Sequence, residues 1–295
     1  MNERFGLSAA MTLPFTTKGA VDFKRLADHA RWCLASGCGS VAAFGTTGEG
    51  TSLGLSAREQ VIGALIGAGI DARRSIVGGV SASSMHEAIV QTRLLMDADC
   101  RAVLMAPPFY FKGVTDDGLY AWFARVFEKL GAQARDVILY NIPSVTAVPL
   151  SVELIGRLRA DFPNVVSGVK DSSGDFTYTK QLLAAHGELA ILIGDERNLS
   201  EGVRLGAQGS ISGLANVCPG DLNAMIASGR DDARIPLTVE EVLKYPVTPA
   251  VKALVAHRTG DAAWLNVRPP LVAIDPAVAA KLGATFDAIF AARAA

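Results

Sequence analysis

Short apolar runs alternate along the chain with longer segments whose apolar residues recur every three or four positions. The short runs have the length and the valine, isoleucine and alanine content of buried strands, whereas the longer segments have the period of a helix. One such helical segment carries Phe23, Leu26, Ala30 and Leu34 on a single face. The predicted strands are 5–11, 40–44, 75–77, 102–105, 137–140, 165–170, 190–193 and 209–212.

Eight strand–helix units of roughly 25–30 residues predict an α/β fold with parallel strands. A (β/α)8 TIM barrel fits this number of units, and a doubly wound open sheet is its main rival. Ser56 and Glu59 form a capping-box pattern at the second helix. Further helices are expected to begin near Ser83, Thr115, Ser151, Tyr178 and Leu199.

Helical patterns continue after the eighth strand. Pro219 is expected to start one helix, and residues 239–256 and 276–294 are predicted to form two more, joined by the proline-rich stretch 267–270. We therefore divide the chain into a barrel, 1–230, and a C-terminal helical extension, 231–295. Because the last helix is too apolar for a solvated tail, we expect the extension to pack on the flank of the barrel or on a neighbouring subunit.

Composition narrows the possible partners. The chain has 295 residues, half of them hydrophobic, and a formal net charge of -1. Without a basic excess, binding to a nucleic acid or an anionic membrane is not expected, and no apolar stretch approaches the roughly 18 residues of a transmembrane helix. The four cysteines lack metal-site spacing and no signal-peptide pattern is visible, so reduced thiols in a cytoplasmic protein are expected.

Two strand ends carry residues suited to covalent chemistry. Lys170 ends the apolar run 165–170, and Tyr140 ends the run 137–140. In a parallel barrel, consecutive strands lie about 4.8 Å apart and their carboxyl ends share one mouth, so these two side chains can face one cavity. An amine at that depth loses hydration, which favours its neutral, nucleophilic form. The structural alternative is a lysine whose stem packs while its amine reaches water.

Two further strand ends are polar or rich in glycine. GTTGEG at 45–50 offers the hydroxyls of Thr46 and Thr47 and close backbone approach, which suits binding of a carboxylate. Asp195 and Glu196 follow the seventh strand and are predicted to contact substrate at the rim. Pairing of these carboxylates with a helix N-terminus is the alternative.

Six motifs together resemble the family of dihydrodipicolinate synthase and N-acetylneuraminate lyase. Members of this family form a Schiff base with pyruvate or related 2-oxo acids. In order along the chain and over most of its length, the motifs are AAMTLPF at 9–15, GTTGEG at 45–50, APPFY at 106–110, YNIP at 140–143, GVKDSSGD at 168–175 and GSIS at 209–212. The combination is far more specific than any single motif, and it implies a class I aldolase or lyase on a TIM barrel.

The resemblance also implies roles for individual residues. Lys170 would form the imine with the 2-oxo carbon, Tyr140 would shuttle protons, and Thr46 would relay protons to Tyr140. The covalent imine would serve in place of a cofactor or metal. The four histidines share no spacing typical of metal ligands, so a metal site is not expected from the sequence either.

Substrate contacts and assembly follow from the same resemblance. Thr47 and the backbone at Gly48 would hold the substrate carboxylate, and Ile211 of the GSIS motif would contact substrate. Tyr110 is similar to an aromatic residue that the family inserts into a neighbouring subunit's site, although between Phe109 and Phe111 it could equally be a packing residue. A homotetramer built as a pair of dimers is implied.

One departure from the family bears on the substrate. Dihydrodipicolinate synthases carry an arginine five residues after the strand-five tyrosine, where it binds the carboxylate of the aldehyde substrate, whereas this chain has Val145. Valine cannot pair with a carboxylate. The sequence therefore resembles the aldolases of 2-keto-3-deoxy sugar acids more closely, with Ser144, Thr146, Asp195 and Glu196 available to a hydroxylated substrate.

Three alternatives stay open at this point. The chain could catalyse condensation like a dihydrodipicolinate synthase, or it could use the imine to expel water or ammonia from a 2-keto-3-deoxy acid. A non-catalytic sensor of a 2-oxo acid is the third alternative. The segment 211–216 has one glycine and no basic residue, which argues against a phosphate site at the last strands.

Overall fold

A closed barrel of eight parallel strands forms the centre of the computed structural model, which describes residues 4–291. Each strand pairs with its neighbour in sequence, and β1 also pairs with β8. This closure confirms the TIM barrel and excludes the open sheet. The strands are β1 Gly6–Ala10, β2 Ser40–Ala43, β3 Ile76–Val80, β4 Ala102–Met105, β5 Val137–Asn141, β6 Val166–Asp171, β7 Ala190–Ile193 and β8 Gly209–Ser212.

Helices connect the strands and continue beyond the last of them. They are α1 Phe23–Ala35, α2 Leu55–Gly67, α3 Ala72–Ser75, α4 Met85–Asp97, α5 Asp116–Leu130, α6 Pro143–Thr146, α7 Val152–Asp161, α8 Phe176–Ala185, α9 Leu199–Arg204, α10 Pro219–Ser228, α11 Arg234–Leu243, α12 Val247–Thr259 and α13 Pro276–Ala291. Short 3₁₀ turns include Glu196–Asn198 after β7 and Leu214–Asn216 after β8. Among residues 4–291, none of the helices combines the length and apolarity that crossing a bilayer requires.

Strand alternation decides which side chains enter the barrel. In β5, Val137 and Leu139 belong to the large core between barrel and helices, whereas Ile138 and Tyr140 belong to the smaller core inside the barrel. Successive side chains of a strand point to opposite faces, so Tyr140 points inward. Its register partner on β6 is Lys170. The local sequence pattern therefore places the phenol and the amine at the same level of the barrel.

Helix starts agree with the sequence at some positions and differ at others. The Ser151 hydroxyl accepts a hydrogen bond from the Leu154 amide and caps α7. The capping box at Ser56 and Glu59 was wrong, because the cap position of α2 is Gly54, two residues before Ser56, and no side chain caps this helix. With Ser56 inside the first turn, its hydroxyl lies past the cap position.

The C-terminal extension differs most from the expectation. The helix predicted over 239–256 is two helices, α11 and α12, because the chain turns at Pro246, which precedes α12. Helix α11 packs on the turn after β7 and α12 on the turn after β8, so these two helices lie at the mouth of the barrel and not on its flank. Packing of the extension on a neighbouring subunit, the other expectation, stays a prediction. The last helix is described to Ala291, and the remainder of the predicted range 276–294 lies outside the described residues. The division at 230/231 stays a prediction.

Candidate active site

Lys170 lies at the carboxyl end of β6, and its side chain is buried inside the barrel mouth. Its Nζ lies 3.3 Å from the hydroxyl of Tyr140 and 4.4 Å from the centre of that ring. Within the part of the chain that the structure describes, Lys170 forms no ion pair with a carboxylate. The amine therefore faces a phenol and a cavity, which is the arrangement that imine formation requires.

Asn141 and Asp171, the residues that directly follow Tyr140 and Lys170, form a hydrogen bond on the outer face of the barrel. Asn141 follows Tyr140 and donates a hydrogen bond from Nδ2 to Oδ1 of Asp171, 3.0 Å away. The other oxygen of Asp171 accepts from the Thr179 hydroxyl at 2.6 Å. Because strand neighbours alternate in direction, this outward bond sets the register of the inward pair. Sequence reasoning missed Asn141 and Asp171, although each directly follows a predicted catalytic residue.

A cavity of about 310 Å³ opens above Lys170. Most of the site residues predicted from the sequence line this cavity. They are Thr46, Thr47, Tyr140, Lys170, Asp195, Glu196 and Ile211. Gly48 and Tyr110 are not among the lining residues.

The loop after β2 uses most of its amides internally. The Gly48 and Gly50 amides both donate to the Gly45 carbonyl, and the Glu49 amide donates to the Thr46 carbonyl. These amides are therefore not available to an anion, contrary to the expectation for the backbone at Gly48. Within the described residues, no hydrogen bond engages the amides of Thr46 and Thr47, and both residues line the cavity.

Gly48 is required by packing. A Cβ at this position would lie 2.7 Å from the Met11 carbonyl oxygen, closer than a methyl group can approach backbone. Gly48 thus lets the loop close onto β1 and positions its neighbours without contacting the cavity. Thr46 lines the cavity, but among the described residues no hydrogen bond joins its hydroxyl to Tyr140.

The two carboxylates at the rim have partners of their own. Asp195 caps the turn Glu196–Asn198 through the Arg197 amide and forms a two-point ion pair with the Arg197 guanidinium, the shorter contact being 2.6 Å. Glu196 is buried and accepts from the Ser212 hydroxyl at 2.5 Å and from the Leu214 amide at 3.4 Å. Burial raises the pKa of Glu196 above its ordinary value, and Ser212 opposes that rise.

The C-terminal extension supplies an apolar wall that the sequence analysis missed. Val239, Val242 and Leu243 of α11 and Val247 and Val251 of α12 line the cavity. Their spacing of three and four residues puts each set on one helix face. That spacing was visible in the sequence, but only the path of the chain after β8 shows that the faces meet the mouth of the barrel.

Comparison with known proteins decides the family. The model of the dihydrodipicolinate synthetase family matches residues 4–288. The chain belongs to this family. A relative named an uncharacterized DapA-like lyase, from Chloroflexus aurantiacus, is 32% identical over 302 residues, with 99% of each chain covered.

Solved structures in the same family have the same fold. A dihydrodipicolinate synthase from Agrobacterium tumefaciens aligns with a TM-score of 0.95 and 55% identity, over 97% of this chain and 100% of that chain. A dihydrodipicolinate synthase from Acinetobacter baumannii, complexed with pyruvate, aligns with a TM-score of 0.85 and 29% identity, over 97% and 99% of the two chains. The family, the fold and the enzyme class predicted from the motifs are confirmed: the protein is a lyase of the pyruvate-dependent class I aldolase type.

Tyr110, which the family resemblance places at a neighbour's site, lies at the surface of this chain. Its side chain is 74% exposed and that of Phe111 is 72% exposed, and the two rings meet edge to face with centres 5.3 Å apart. The single chain does not bring Tyr110 to Lys170. Val145, the position where the family's synthases carry arginine, is 60% exposed at the cavity edge.

Proposed function

We propose that this enzyme reversibly cleaves a 2-keto-3-deoxy acid to pyruvate and an aldehyde through an imine on Lys170. The observation that carries the proposal is the pairing of Lys170 with the Tyr140 hydroxyl at 3.3 Å in a cavity, together with the absence of a carboxylate partner for that amine among the described residues. A neutral amine attacks a ketone, whereas an ammonium ion held by a carboxylate does not.

Imine formation is the first step. The Lys170 amine adds to the 2-oxo carbon, and Tyr140 donates the proton with which one water molecule leaves, so that the products are a protonated imine and a phenolate that can act as the base in the next step. The substrate carboxylate is held by the Thr46 and Thr47 amides, which have no other partner in the described chain. Ile211, buried inside the barrel and lining the cavity, provides an apolar contact beside the reacting carbons.

Cleavage of the carbon–carbon bond is the second step, and it is possible because the iminium withdraws electrons from the neighbouring carbons. Tyr140 removes the proton of the substrate's 4-hydroxyl group, the bond between carbons 3 and 4 breaks, and its electron pair forms an enamine with the imine nitrogen. The aldehyde leaves. Protonation of the enamine at carbon 3 and addition of water then release pyruvate and the free amine. Thr46 relays protons between Tyr140 and solvent in this scheme.

Condensation of pyruvate with aspartate semialdehyde is the second candidate. Its support is the similarity to the Agrobacterium tumefaciens chain named dihydrodipicolinate synthase, at 55% identity. Val145 argues against it, because an exposed aliphatic side chain at the cavity edge offers nothing to the second carboxylate. Efficient turnover of aspartate semialdehyde with pyruvate would favour this candidate over cleavage of a 2-keto-3-deoxy acid.

Borohydride trapping tests the imine directly. Incubation with pyruvate and borohydride is expected to add to each chain the mass of pyruvate less one oxygen atom, and peptide mapping should place the adduct on Lys170. Lys170→Ala should abolish the adduct. Lys180→Ala, which removes an exposed lysine on α8, is the matched control and should leave it intact. An active enzyme that forms no adduct would refute the proposal.

Product analysis then separates cleavage from elimination. Assays with several 2-keto-3-deoxy acids should release pyruvate and aldehyde in equal amounts. A dehydratase or deaminase would release water or ammonia with no pyruvate and aldehyde pair.

We further propose a cytoplasmic homotetramer assembled as a pair of dimers. The exposed aromatic pair Tyr110 and Phe111 supports an interface through which Tyr110 approaches a neighbouring site, and the four buried free cysteines are compatible with a reducing compartment. Light scattering coupled to size-exclusion chromatography should give the mass of four chains, and Tyr110→Ala should lower kcat; a fully active monomer would refute the assembly.

A further inference from the structure

The cavity has two chemically different ends. The end at Lys170 carries the groups that react and the amides that reach a carboxylate. The other end is built by the C-terminal helices and presents only aliphatic side chains from them, Val239, Val242 and Leu243 from α11 and Val247 and Val251 from α12. Pyruvate is too small to occupy both ends at once, so the second end meets the part of the substrate that leaves as the aldehyde.

The two carboxylates that line the cavity, Asp195 and Glu196, already have partners within the protein. Asp195 is held by Arg197 through two contacts, and Glu196 by Ser212 and the Leu214 amide. A sugar hydroxyl placed against the aliphatic wall would lose its hydration without gaining a hydrogen bond. Hydroxyl groups beyond the reacting carbons are therefore disfavoured at this wall.

Part of the wall is exposed in the single chain. Leu243 is 52% exposed and Val247 is 43% exposed although both line the cavity. Aliphatic groups left accessible around a cleft typically mark the surface that a ligand buries. Since the wall is continuous with the cavity that holds Lys170, the group in position to cover it is the far end of the bound substrate.

We infer that the α11–α12 wall is a specificity subsite for an apolar group, so that the preferred aldehyde carries an aliphatic or aromatic chain and not a polyol. This inference rests on the proposed imine chemistry and narrows its substrate class. It differs from the sugar-derived chain expected from the sequence, which stays the alternative. Thr146, one of the polar groups behind that expectation, is buried, and its hydroxyl donates to the Ile142 carbonyl.

Condensation in the direction of synthesis tests the subsite. With pyruvate saturating, pentanal and glyceraldehyde are compared as acceptors, since they have the same number of heavy atoms and differ in polarity. The new bond joins carbon 3 of the pyruvate enamine to the aldehyde carbon, and the resulting alkoxide takes a proton. We expect kcat/KM for pentanal to exceed that for glyceraldehyde by about tenfold to hundredfold, the range that apolar pockets achieve for small groups.

A pair of variants on one helix assigns the preference to the wall. Leu243→Asn places an amide in the cavity and should lower the ratio of kcat/KM for pentanal to kcat/KM for glyceraldehyde about tenfold. Leu237→Asn is the matched control, because Leu237 is on the same helix and 50% exposed but does not line the cavity. It should change neither value. Both residues are exposed, so neither change threatens the fold.

The outcomes separate this inference from the function on which it rests. A pyruvate adduct on Lys170 without a preference for pentanal, or a preference that survives Leu243→Asn, would overturn the subsite alone. Failure to form the adduct in otherwise folded enzyme would overturn the imine chemistry and the subsite together. An adduct, a preference for pentanal and its selective loss in Leu243→Asn would establish the subsite.

Discussion

Two buried lysines in this molecule have opposite surroundings. Lys170 Nζ lies 4.4 Å from the centre of the Tyr140 ring, and Lys252 Nζ lies 4.3 Å from the centre of the Phe15 ring. The aromatic contact is therefore the same. What differs is the carboxylate, because Lys252 forms an ion pair with Glu49 in which both side chains are fully buried, whereas Lys170 has no such partner in the described chain.

The difference shows that the role of a buried lysine amine depends on whether a carboxylate pairs with it, and not on its burial alone. Burial lowers the pKa of Lys252, while Glu49 acts in the opposite direction. Lys252 also donates to the Asn266 carbonyl at 2.6 Å, so it ties the loop after β2 to the C-terminal segment. We name the buried polar contacts under α12, made by Glu49, Lys252, His29 and Asn216, the α12 seam. Groups in the seam hold the fold, and groups at the cavity are left free to react.

The largest expected effect is on chemistry at the cavity. Lys170→Ala should reduce kcat at least about 10⁴-fold, since among the described residues that line the cavity Lys170 is the only lysine. Because the amine has no ion pair to lose, the free energy of unfolding should change by only about 1 kcal/mol. Pyruvate release and urea unfolding monitored by circular dichroism check the two parts. A destabilisation above about 3 kcal/mol would show that Lys170, like Lys252, is structural.

Tyr140→Phe should reduce kcat by about 10²–10⁴-fold, the usual contribution of a positioned acid or base. The ring remains, so folding should be unaffected, and borohydride should still trap pyruvate on Lys170, although more slowly. Steady-state kinetics measures kcat, and mass spectrometry measures the trapped adduct. Unchanged kcat would remove Tyr140 from the proton path.

Substitutions in the α12 seam should change the free energy of unfolding. Lys252→Met leaves the Glu49 carboxylate buried and unpaired, which typically costs about 3–5 kcal/mol. Urea denaturation measures the loss. The double variant Glu49→Gln/Lys252→Met is the control and should lose clearly less, because no unpaired charge remains. Equal losses in the single and double variants would mean that the ion pair is not what holds the seam together.

The smallest expected effect concerns pH. His29 is buried against Trp264 with Nε2 2.8 Å from Oδ1 of Asn216, and burial lowers its pKa to about 4. Unfolded, this histidine takes up a proton near pH 6.5, so the folded state binds fewer protons between about pH 6.5 and pH 4. Stability should therefore fall as the pH decreases through that window, by at most about 3 kcal/mol from this group.

His29→Gln should remove that part of the pH dependence. His86→Gln, at an exposed position on α4, is the matched control and should preserve it. Urea unfolding at several pH values gives the slopes. If His29→Gln and the unmodified protein lose stability in parallel on acidification, His29 is not the titrating group.

Local patterns were sufficient to predict most of the barrel and the reacting pair. Tyr140 and Lys170 could be placed together because strand alternation and parallel neighbours depend only on nearby sequence. The third strand was predicted too short, as 75–77, because Gly78 and Gly79 weaken a strand pattern. In the structure a Cβ at Gly79 would lie 2.5 Å from the Phe44 carbonyl oxygen, so close packing of the backbone explains the glycine.

Features that depend on distant parts of the chain could not be predicted in this way. The apolar faces of α11 and α12 have a clear helical period, but the same period fits packing on the flank of the barrel. Glu49 appeared in the sequence only as part of a glycine-rich loop, and nothing near it indicates that its partner is Lys252. Such contacts come from the tertiary path of the chain, which periodicity does not encode.

The link between Glu49 and Lys252 has a consequence for how the protein is made, because 203 positions separate the two residues. A ribosome adding about 5–20 residues per second needs roughly 10–40 seconds to cover that distance. At the end of that interval, once Ser212 has completed β8, all eight strands are present while the carboxylate still lacks its counterion. A nascent chain released after β8 would keep its reactive amine but lack the partner that holds Glu49 in the loop after β2, so synthesis of the last helices completes the enzyme.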